Sequence, residues 1–330
     1  MTTLQTTPMP SDRQAWIRRS GQMVLQNGVL LGFVVLVLGL SLATPYFLSS
    51  ANLLSILVQS APFVIMAVGE LVVVLVAGID LAVGAMAGLS GAVAAALMAR
   101  LGLPWPLALL IALMATSAVG AIQGLIVNYL RVTDFIATLA GLSVVGSLTL
   151  IITQGNPIGI AADSFNALGQ ARWLNLPAQV WIALCVVCAA WVWLGRTASG
   201  QHVYAVGGNR VAAYRSGIAV RRLRTVAYAF SGLCSGIAGI IFAAQLSSAD
   251  PNAGRGDELT AIAAVVIGGV SLFGGRGKVS GAVTGALLIS TILDALVLLN
   301  VPPYYTQLVQ GFVILLAVML DYLKRRDHSF

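Results

Sequence analysis

The stretch AGIDLAVGAMAG, residues 77–88, lies inside a long and nearly unbroken apolar run, and this run decides the fold class. Asp80 and three glycines interrupt this run, and Glu70 stands ten residues upstream. The chain is 58% hydrophobic and only 9% charged, whereas a soluble domain carries about 25% charged residues. So few charges cannot solvate 330 residues, and the composition therefore predicts an all-α integral membrane protein.

Apolar segments long enough to cross a bilayer recur along the chain, since a helix needs about 20 residues to cross about 30 Å of hydrocarbon. About ten transmembrane helices are predicted. They cover residues 22–43, 53–77, 82–99, 105–130, 135–154, 178–195, 225–246, 260–273, 279–299 and 305–322. The third and the eighth are short and rich in glycine, which predicts glycine-broken helices. We expect one transmembrane domain (22–322) between two tails, residues 1–21 and 323–330.

Basic residues are distributed unevenly between the two sides that ten crossings define. Fifteen of the eighteen Lys and Arg residues fall on the side of the two termini, and the other side holds only Arg100, Arg172 and Arg255. The positive-inside rule therefore predicts cytoplasmic N- and C-termini and a cytoplasmic loop at 196–224. The net charge of +7 reports this orientation, and nucleic acid is not an expected partner.

The sequence contains no recognisable catalytic or nucleotide-binding pattern. The nearest match to a phosphate-binding loop is GGRGK at 274–278. Leu272 and Val279 occupy the places that require a glycine and a Ser or Thr. The three cysteines lie in apolar segments, with no second pair and no histidine cluster that would indicate a metal. We expect a non-catalytic protein that binds no metal and no cofactor.

Asp80 and Glu70 need an explanation, because a charge at mid-bilayer costs roughly 2.5–3.5 kcal/mol on insertion scales. Such a group normally faces the protein interior or a water-filled cavity. Asp80 stands between Gly78 and Gly84. It could line a pathway, or it could equally well be a cap that accepts backbone N–H groups where a helix resumes. Both interpretations of Asp80, cap and pathway, stay open. Glu70 has no such local explanation, and we expect it to point into a cavity.

The largest cytoplasmic loop, 196–224, contains a short predicted helix from Asn209 to Ser216, with Gly217 at the position that ends helices. A helix of this length is not stable alone, so we expect it to pack against helix ends or a partner subunit. On the other side, loops 153–178 and 247–259 are the longest. The second is rich in charge and is interpreted as a solvated turn or a docking surface.

Three motifs resemble those of the membrane-spanning permease subunit of bacterial ribose-type sugar ABC importers, a family that includes xylose, arabinose, galactoside and autoinducer-2 permeases. They are GIDLAVGA (78–85), YAVGGNRVAAYRSGIAVRRLR (204–224) and DELTAIAAVVIGGVSLFGGRG (257–277). FIATL (135–139) with TQGNPI (153–158) is a weaker fourth match. Two residues depart from the family pattern, which usually has Asp at Thr260 and more often Met or Gln at Glu70. These departures leave the identity of the sugar open.

The resemblance implies a permease subunit of an ATP-driven importer for a pentose or hexose type of sugar in the bacterial inner membrane. A second permease copy or a paralogue would form a dimer with this chain in the lipid bilayer. Two cytoplasmic ATP-binding subunits would use ATP and Mg, and a periplasmic sugar-binding protein would deliver the sugar. The missing phosphate loop fits this division, because hydrolysis then belongs to another polypeptide.

The resemblance also implies three groups of site residues. Contacts with the ATPase are expected at Gly208, Asn209, Arg210, Ala212, Ala213, Ser216 and Gly217. Residues of the translocation pathway are expected at Glu70, Asp80, Phe135, Thr138 and Asn156. Contacts with the binding protein are expected at Asp250, Arg255 and Glu258.

Two other functions compete with the importer. An ion-coupled secondary transporter would use Glu70 and Asp80 as its proton or sodium groups and would need no ATPase. A membrane scaffold would need neither carboxylate. The basic loop with its short helix favours the importer, since a secondary transporter has no need of a docking helix.

Overall fold

The computed structural model describes residues 28–305 and 308–312 and the single positions 315 and 319. The predicted tails, 1–21 and 323–330, lie outside the described residues, and so do parts of the first and last predicted spans, 22–43 and 305–322. The described part is almost entirely helical. This is expected in lipid, where backbone N–H and C=O groups must be paired within the protein.

The helices follow one another through the described residues with short connections. In chain order they are α1 (Gly28–Ala43), α2 (Ser50–Leu75), α3 (Val83–Leu101), α4 (Trp105–Tyr129), α5 (Asp134–Thr153), α6 (Asp163–Gln170), α7 (Ala178–Arg196), α8 (Ala198–Gly208), α9 (Arg210–Arg215), α10 (Val220–Leu246), α11 (Asp257–Ile267) and α12 (Val279–Leu298). A 3₁₀ turn follows at Pro303–Tyr305. Within the described residues, seven helices are long and apolar enough to cross a membrane: α2, α3, α4, α5, α7, α10 and α12.

Among the described residues, four two-residue strands form two small antiparallel pairs. They are β1 (Ile158–Gly159), β2 (Arg172–Trp173), β3 (Leu176–Pro177) and β4 (Ser248–Ala249). β1 pairs with β4, so the loop after α5 is joined to the loop after α10. β2 and β3 form a hairpin whose tip, Leu174 and Asn175, has positive φ angles. These strands mark one end of the bundle, which we call the far end.

The opposite end, which we call the basic end, contains the end of α2, the helices α8 and α9, and the starts of α5, α10 and α12. Gly275, in the loop before α12, donates its N–H to the carbonyl of Leu75 at 2.9 Å. Arg224 of α10 forms an ion pair with Asp134 of α5. The cytoplasmic loop predicted at 196–224 therefore contributes α8, α9 and the first turns of α10 to one surface.

The buried centre of the bundle is built around α2 and α10, whereas α5 and α7 lie at its periphery. In the most apolar 18-residue segment of each helix, 78% of α2 is buried inside the protein but only 22% of α5. Glycines allow the central helices to touch: a methyl group at Gly69 would lie 2.8 Å from Cβ of Cys234. Such close contacts through small residues are how helices associate in lipid. The exposed apolar faces of α5 and α7 are suited to lipid or to another membrane subunit.

The predicted eighth span, 260–273, is wrong as a complete helical crossing. α11 has 11 residues and is therefore roughly 16 Å long at about 1.5 Å per residue, which is too short for the hydrocarbon layer. Residues 247–256, which we call the 247–256 loop, descend from the far end alongside α3 before α11 begins. A methyl group at Gly88 would lie 2.8 Å from the carbonyl oxygen of Ala253, and one at Gly84 would overlap the carbonyl of Gly254. Loop and helix together thus replace the predicted helix.

Residues 76–82, which we call the 76–82 turn, connect α2 to α3 and fold back along α2. Gly78 donates its N–H to the carbonyl of Val73 at 2.9 Å. Ala82 and Val83 pack with Met66 in one buried cluster. α3 therefore begins beside the interior of α2 rather than at its end, and the GIDLAVGA segment is buried inside the bundle.

Candidate functional site

Asp80 is fully buried at the centre of the 76–82 turn, and both of its carboxylate oxygens have hydrogen-bond partners. Oδ1 accepts the N–H of Ala82 at 3.0 Å, and Oδ2 accepts the hydroxyl of Ser231 at 2.9 Å. The first contact closes a local turn just before α3, but the N-cap residue of α3 is Ala82, and no side chain caps the first amides of this helix. The second ties the turn to α10. Asp80 therefore holds the turn within a buried network, and its two interpretations, cap and pathway, both stay predictions.

Glu70 lies against the same turn and is also fully buried. Its Oε1 accepts the N–H of Asp80 at 3.3 Å, while Oε2 has no hydrogen-bond partner among the described residues. The expectation that Glu70 points into an open cavity does not hold in this structure. The side chain reaches the turn from α2, so the two carboxylates that the sequence singled out come together.

A second buried polar cluster, which sequence reasoning missed, lies between the 76–82 turn and the basic end. Arg224 Nη2 lies 2.6 Å from Asp134 Oδ1, and Arg224 Nη1 donates to Asn128 Oδ1, also at 2.6 Å. The Arg224 side chain is only 6% exposed. A buried charge of this kind requires a partner. Asn128, Asp134 and Arg224 together join the end of α4, the start of α5 and the start of α10.

Tyr228 connects this cluster to the 76–82 turn. Its hydroxyl lies 2.6 Å from Asp134 Oδ1 and 3.3 Å from the carbonyl oxygen of Ile79, and it can donate to either. A methyl group at Gly78 would lie 2.7 Å from this hydroxyl. Gly78 therefore has a packing reason to be glycine. Polar contacts thus connect Arg224 through Asp134 to Tyr228, and Tyr228 contacts the turn that contains Asp80.

The predicted helix Asn209–Ser216 is confirmed as α9, Arg210–Arg215, with the two predicted terminal residues as its caps. Asn209 Oδ1 accepts the N–H of Ala212 at 2.9 Å, which is a typical N-cap contact. Gly217 follows with a φ of 82°, a left-handed conformation that glycine adopts without strain. Local sequence signals were sufficient here because both caps act within a few residues.

α9 has an inner and an outer face. Ala213 is buried against the bundle, whereas Val211 and Tyr214 are 61% and 72% exposed. The remaining predicted coupling residues are exposed: Gly208, Asn209, Arg210, Ala212, Ser216 and Gly217. The Arg210 guanidinium nevertheless turns inward, and its Nη2 donates to the carbonyl of Ala77 at 2.7 Å.

The structure does not bring the five predicted pathway residues together. Thr138 is buried near the basic end, with its hydroxyl donating to the carbonyl of Asp134 at 2.9 Å. Phe135 is 55% exposed on α5. Asn156 is exposed beyond the other end of α5 and donates to the carbonyl of Gln154. The 20 residues of α5 span roughly 30 Å, so Asn156 lies far from Phe135. Among the five, Glu70 contacts Asp80, and the Thr138 hydroxyl lies 3.5 Å from the carbonyl oxygen of Phe135 within one turn of α5.

The predicted docking residues are also separated by the fold. Asp250 lies next to β4 at the far end, and its Oδ1 accepts the N–H of Asn252 at 2.8 Å. Arg255 is exposed, but it follows Gly254, which contacts the first turn of α3. That position is roughly 25 Å along α3 from Leu101 at about 1.5 Å per residue. Arg255 therefore lies at the level of the first turn of α3, with its side chain exposed, rather than at the far end.

Glu258, the third predicted docking residue, is buried rather than exposed, with 9% of its surface accessible. Its Oε2 accepts the N–H of Gly256 at 3.1 Å and lies beside Gly84. Its carboxylate thus lies at a contact between the 247–256 loop and α3, and the docking role of Glu258 stays a prediction. Its neighbour Thr260 is buried as well and accepts a hydrogen bond from Gln310.

Comparisons with known proteins give the same assignment along nearly the whole chain. Residues 52–318 match the family described as branched-chain amino acid transport system / permease component. The ribose import permease protein RbsC of Escherichia coli (strain K12) is 42% identical over 302 residues, which cover 90% of this chain and 94% of that protein. The D-allose transport system permease protein AlsC of the same strain is 39% identical over 293 residues, 88% of this chain and 89% of that protein.

A third relative is more distant but covers even more of the chain. The L-arabinose ABC transporter permease protein AraH of Azospirillum brasilense is 33% identical over 331 residues, 98% of this chain and 96% of that protein. No solved structure matches the chain significantly.

Proposed function

This chain belongs to that permease family, and we propose that it is the membrane-spanning permease subunit of an ATP-driven sugar importer in the bacterial inner membrane. The observation that carries the proposal is its 42% identity to a ribose import permease over 90% of its length. Relatives named for D-allose and L-arabinose support a pentose or hexose type of sugar as the substrate. Seven helices in the described part of the chain are apolar enough to cross a membrane, which agrees with this role.

The permease itself is non-catalytic, and ATP hydrolysis belongs to separate subunits. Two cytoplasmic ATP-binding subunits use ATP and Mg, a periplasmic protein delivers the sugar, and a second permease copy or a paralogue completes the path. The exposed residues of α9, including Val211 and Tyr214, form the surface that seats in the ATPase. The apolar outer faces of α5 and α7 are available for lipid and for the second permease.

The basic end faces the cytoplasm, because it carries most of the arginine residues that the structure describes. Both termini are then cytoplasmic if the chain crosses ten times. The 247–256 loop with α11 forms the eighth of these crossings, and a final span lies near 305–322. A single transmembrane domain, 22–322, holds all ten, between cytoplasmic tails 1–21 and 323–330. Asp80 and Glu70 stabilise the 76–82 turn beside the translocation path rather than binding sugar themselves.

The ion-coupled secondary transporter is not supported. The relatives are named as import or transport-system permeases. Glu70 and Asp80, the groups such a transporter would use, are buried and contact the backbone of the 76–82 turn.

Recovery of partner subunits tests the proposal directly. The tagged chain is purified from native membranes in mild detergent, and the proteins that accompany it are identified by mass spectrometry. We expect an ATPase with a phosphate-binding loop, and the periplasmic binding protein found with it would indicate the sugar. Repeated recovery of the chain alone, with transport activity in vesicles that lack ATP, would overturn the proposal.

Labelling of introduced cysteines tests the orientation. Cys185, Cys188 and Cys234 are first replaced by Ala, because the first two are exposed. Leu174→Cys, at the exposed tip of the far-end hairpin, is expected to react with an impermeant maleimide in intact cells. Ala212→Cys, on α9, is expected to react only after permeabilisation. The opposite pattern would reverse the assigned orientation.

A further inference from the structure

The end of α2 is held by distant parts of the chain as well as by its own residues, since Ala77 and Gly78 donate their N–H groups to the carbonyls of Val74 and Val73 at 2.9 Å each. A helix C-terminus leaves backbone carbonyls without partners inside the helix. The carbonyl of Leu75 accepts the N–H of Gly275 at 2.9 Å. Arg210 Nη2 donates to the carbonyl of Ala77 at 2.7 Å and lies 3.5 Å from that of Val76. α9 and the loop before α12 therefore both hold the start of the 76–82 turn.

The end of α8, the loop before α12 and the end of α2 approach one another closely at glycines, which leaves little room for one to move without the others. A methyl group at Gly207 would overlap the carbonyl of Leu75, and one at Gly274 would lie 2.8 Å from Cβ of Ala77. Ala77 itself has a φ of 56°, an uncommon conformation for a residue with a side chain. Such a conformation persists only where the surroundings impose it, so the turn depends on its neighbours for its shape.

The Arg210 side chain is directed at the turn although it belongs to the short helix that carries the exposed docking face. Burial lowers the pKa of Arg210, and the nearby positive charge of Arg224 lowers it further. Part of the guanidinium is thus removed from water, and the carbonyl of Ala77 replaces water as its hydrogen-bond acceptor. Val211 and Tyr214, by contrast, expose most of their surface.

We propose that Arg210 is a positioning residue that transmits movement of α9 to the 76–82 turn, and through the turn to Asp80 and Glu70 inside the bundle. The contact between Arg210 and Ala77 carries this proposal, because it joins the docking helix to the segment that holds both buried carboxylates. The proposal rests on the function proposed above, in which an ATPase moves α9.

Transport measured against ATP hydrolysis tests the role. The permease is reconstituted in vesicles with its ATPase and binding protein, and sugar uptake and ATP hydrolysis are measured together. Arg210→Met removes the donors but keeps an unbranched stem, and Arg210→Lys keeps a donor. Arg222→Met removes an exposed charge from α10 and is the matched control.

For Arg210→Met we expect sugar moved per ATP to fall roughly tenfold, the scale of losing one hydrogen bond to a charged group. Because Arg210 is also a predicted contact with the ATPase, the ratio is compared between preparations that contain equal amounts of bound ATPase. Arg210→Lys should restore part of the ratio, and Arg222→Met should leave it at the wild-type value. An unchanged ratio in Arg210→Met, or an equal loss in Arg222→Met, would overturn the proposal.

Hydrogen exchange provides a readout that does not depend on transport. In the wild-type complex, addition of Mg and ATP should change the exchange rate of the amides in the 76–82 turn. Arg210→Met and, to a smaller extent, Arg210→Lys should reduce this change, so the test survives if one variant folds poorly. If nucleotide changes exchange in the turn but the wild-type complex takes up no sugar, the importer is contradicted and the contact between Arg210 and Ala77 is supported. A turn that does not respond, or responds equally in Arg210→Met, would refute the contact.

Discussion

The 76–82 turn and the 247–256 loop both contain an aspartate that accepts the N–H two residues further along the chain. Asp80 accepts the N–H of Ala82 at 3.0 Å, and Asp250 accepts that of Asn252 at 2.8 Å. Asp80 is fully buried, whereas Asp250 is partly exposed. Water can replace a lost hydrogen bond at Asp250 but not at Asp80. The same local device therefore has a different energetic weight in the two places.

The two segments also differ in what holds them. Side chains from other helices fix the 76–82 turn, namely Glu70, Arg210, Tyr228 and Ser231. The 247–256 loop is held mainly by backbone contacts, which are the β1–β4 pair and the close approach of Gly254 to Gly84. Polar substitutions should therefore damage the turn, and substitutions that add volume should damage the loop.

The largest effect is expected from Asp134→Ala, which leaves Arg224 buried without its charge partner and removes an acceptor beside the turn. Breaking a buried pair costs about 3–5 kcal/mol, and the 24% exposure of the Asp134 side chain favours the lower end of that range. The measurement is the free energy of unfolding of the purified protein in an SDS titration. Asp163→Ala is the control, since Asp163 is exposed in the first turn of α6. An equal loss in both variants would contradict the importance of the cluster.

Gly84→Ala tests the backbone contact of the 247–256 loop. The added methyl group would overlap the Gly254 carbonyl and approach the Glu258 carboxylate, so we expect a loss of about 2–3 kcal/mol from overpacking. Gly146→Ala is the matched control, because a methyl group at Gly146 meets nothing within 4 Å and alanine favours a helix by up to about 1 kcal/mol. The same SDS titration compares the two. Equal stability of both variants would show that α3 and the loop do not pack as described.

Asp80→Ala and Asp250→Ala test the comparison between the two aspartates itself. Asp80→Ala leaves the Ala82 N–H and the Ser231 hydroxyl without an acceptor inside the bundle, and we expect a loss of about 2 kcal/mol. Asp250→Ala should cost about 0.5 kcal/mol, because water can replace that contact. Unfolding of the two purified variants in the same SDS titration measures both losses. A greater loss for Asp250→Ala would reverse the ranking of the two segments.

Among the substitutions inside the bundle, the smallest effect is expected for Tyr228→Phe, which removes one hydroxyl between the ion pair and the turn. A hydrogen bond to a charged group contributes about 1.5–3 kcal/mol, and we expect a loss at the lower end of that range because Asp134 keeps its ion pair with Arg224. Tyr214→Phe, on the exposed face of α9, should not change the free energy of unfolding. If Tyr228→Phe is as stable as Tyr214→Phe, the link between Asp134 and Ile79 has no measurable weight.

Much of the fold could be predicted because the signals for membrane helices are local. The predicted second span, 53–77, corresponds to α2, and the ninth, 279–299, corresponds to α12. α9 was predicted from Asn209 and Gly217, residues that act within their own turn. The eighth span failed because its apolar residues continue beyond Ile267, while Gly268 and Gly269 end the helix. Apolar character predicts burial, but it does not say whether a buried segment is helical.

The candidate site was predicted only in part. The two carboxylates in apolar sequence attracted attention because isolated charges in lipid are costly, and they do lie together. Asp134 and Arg224 escaped notice because each stands at the edge of a predicted span. There, a charge is expected for reasons of topology alone. Their partnership joins residues 90 positions apart, and such a pairing has no periodicity that a single sequence displays.

By itself, the sequence determined that this protein is a bundle of membrane helices, which side carries its positive charge, and which permease family it resembles. These properties depend on composition, on hydropathy within about 20 residues and on short motifs. Only the tertiary structure decided that the 76–82 turn is capped by Arg210, that Glu258 is buried beside Gly84, and that the 247–256 loop descends along α3. These depend on which helices pack together, and that is settled by contacts between distant residues whose small side chains let the backbones meet.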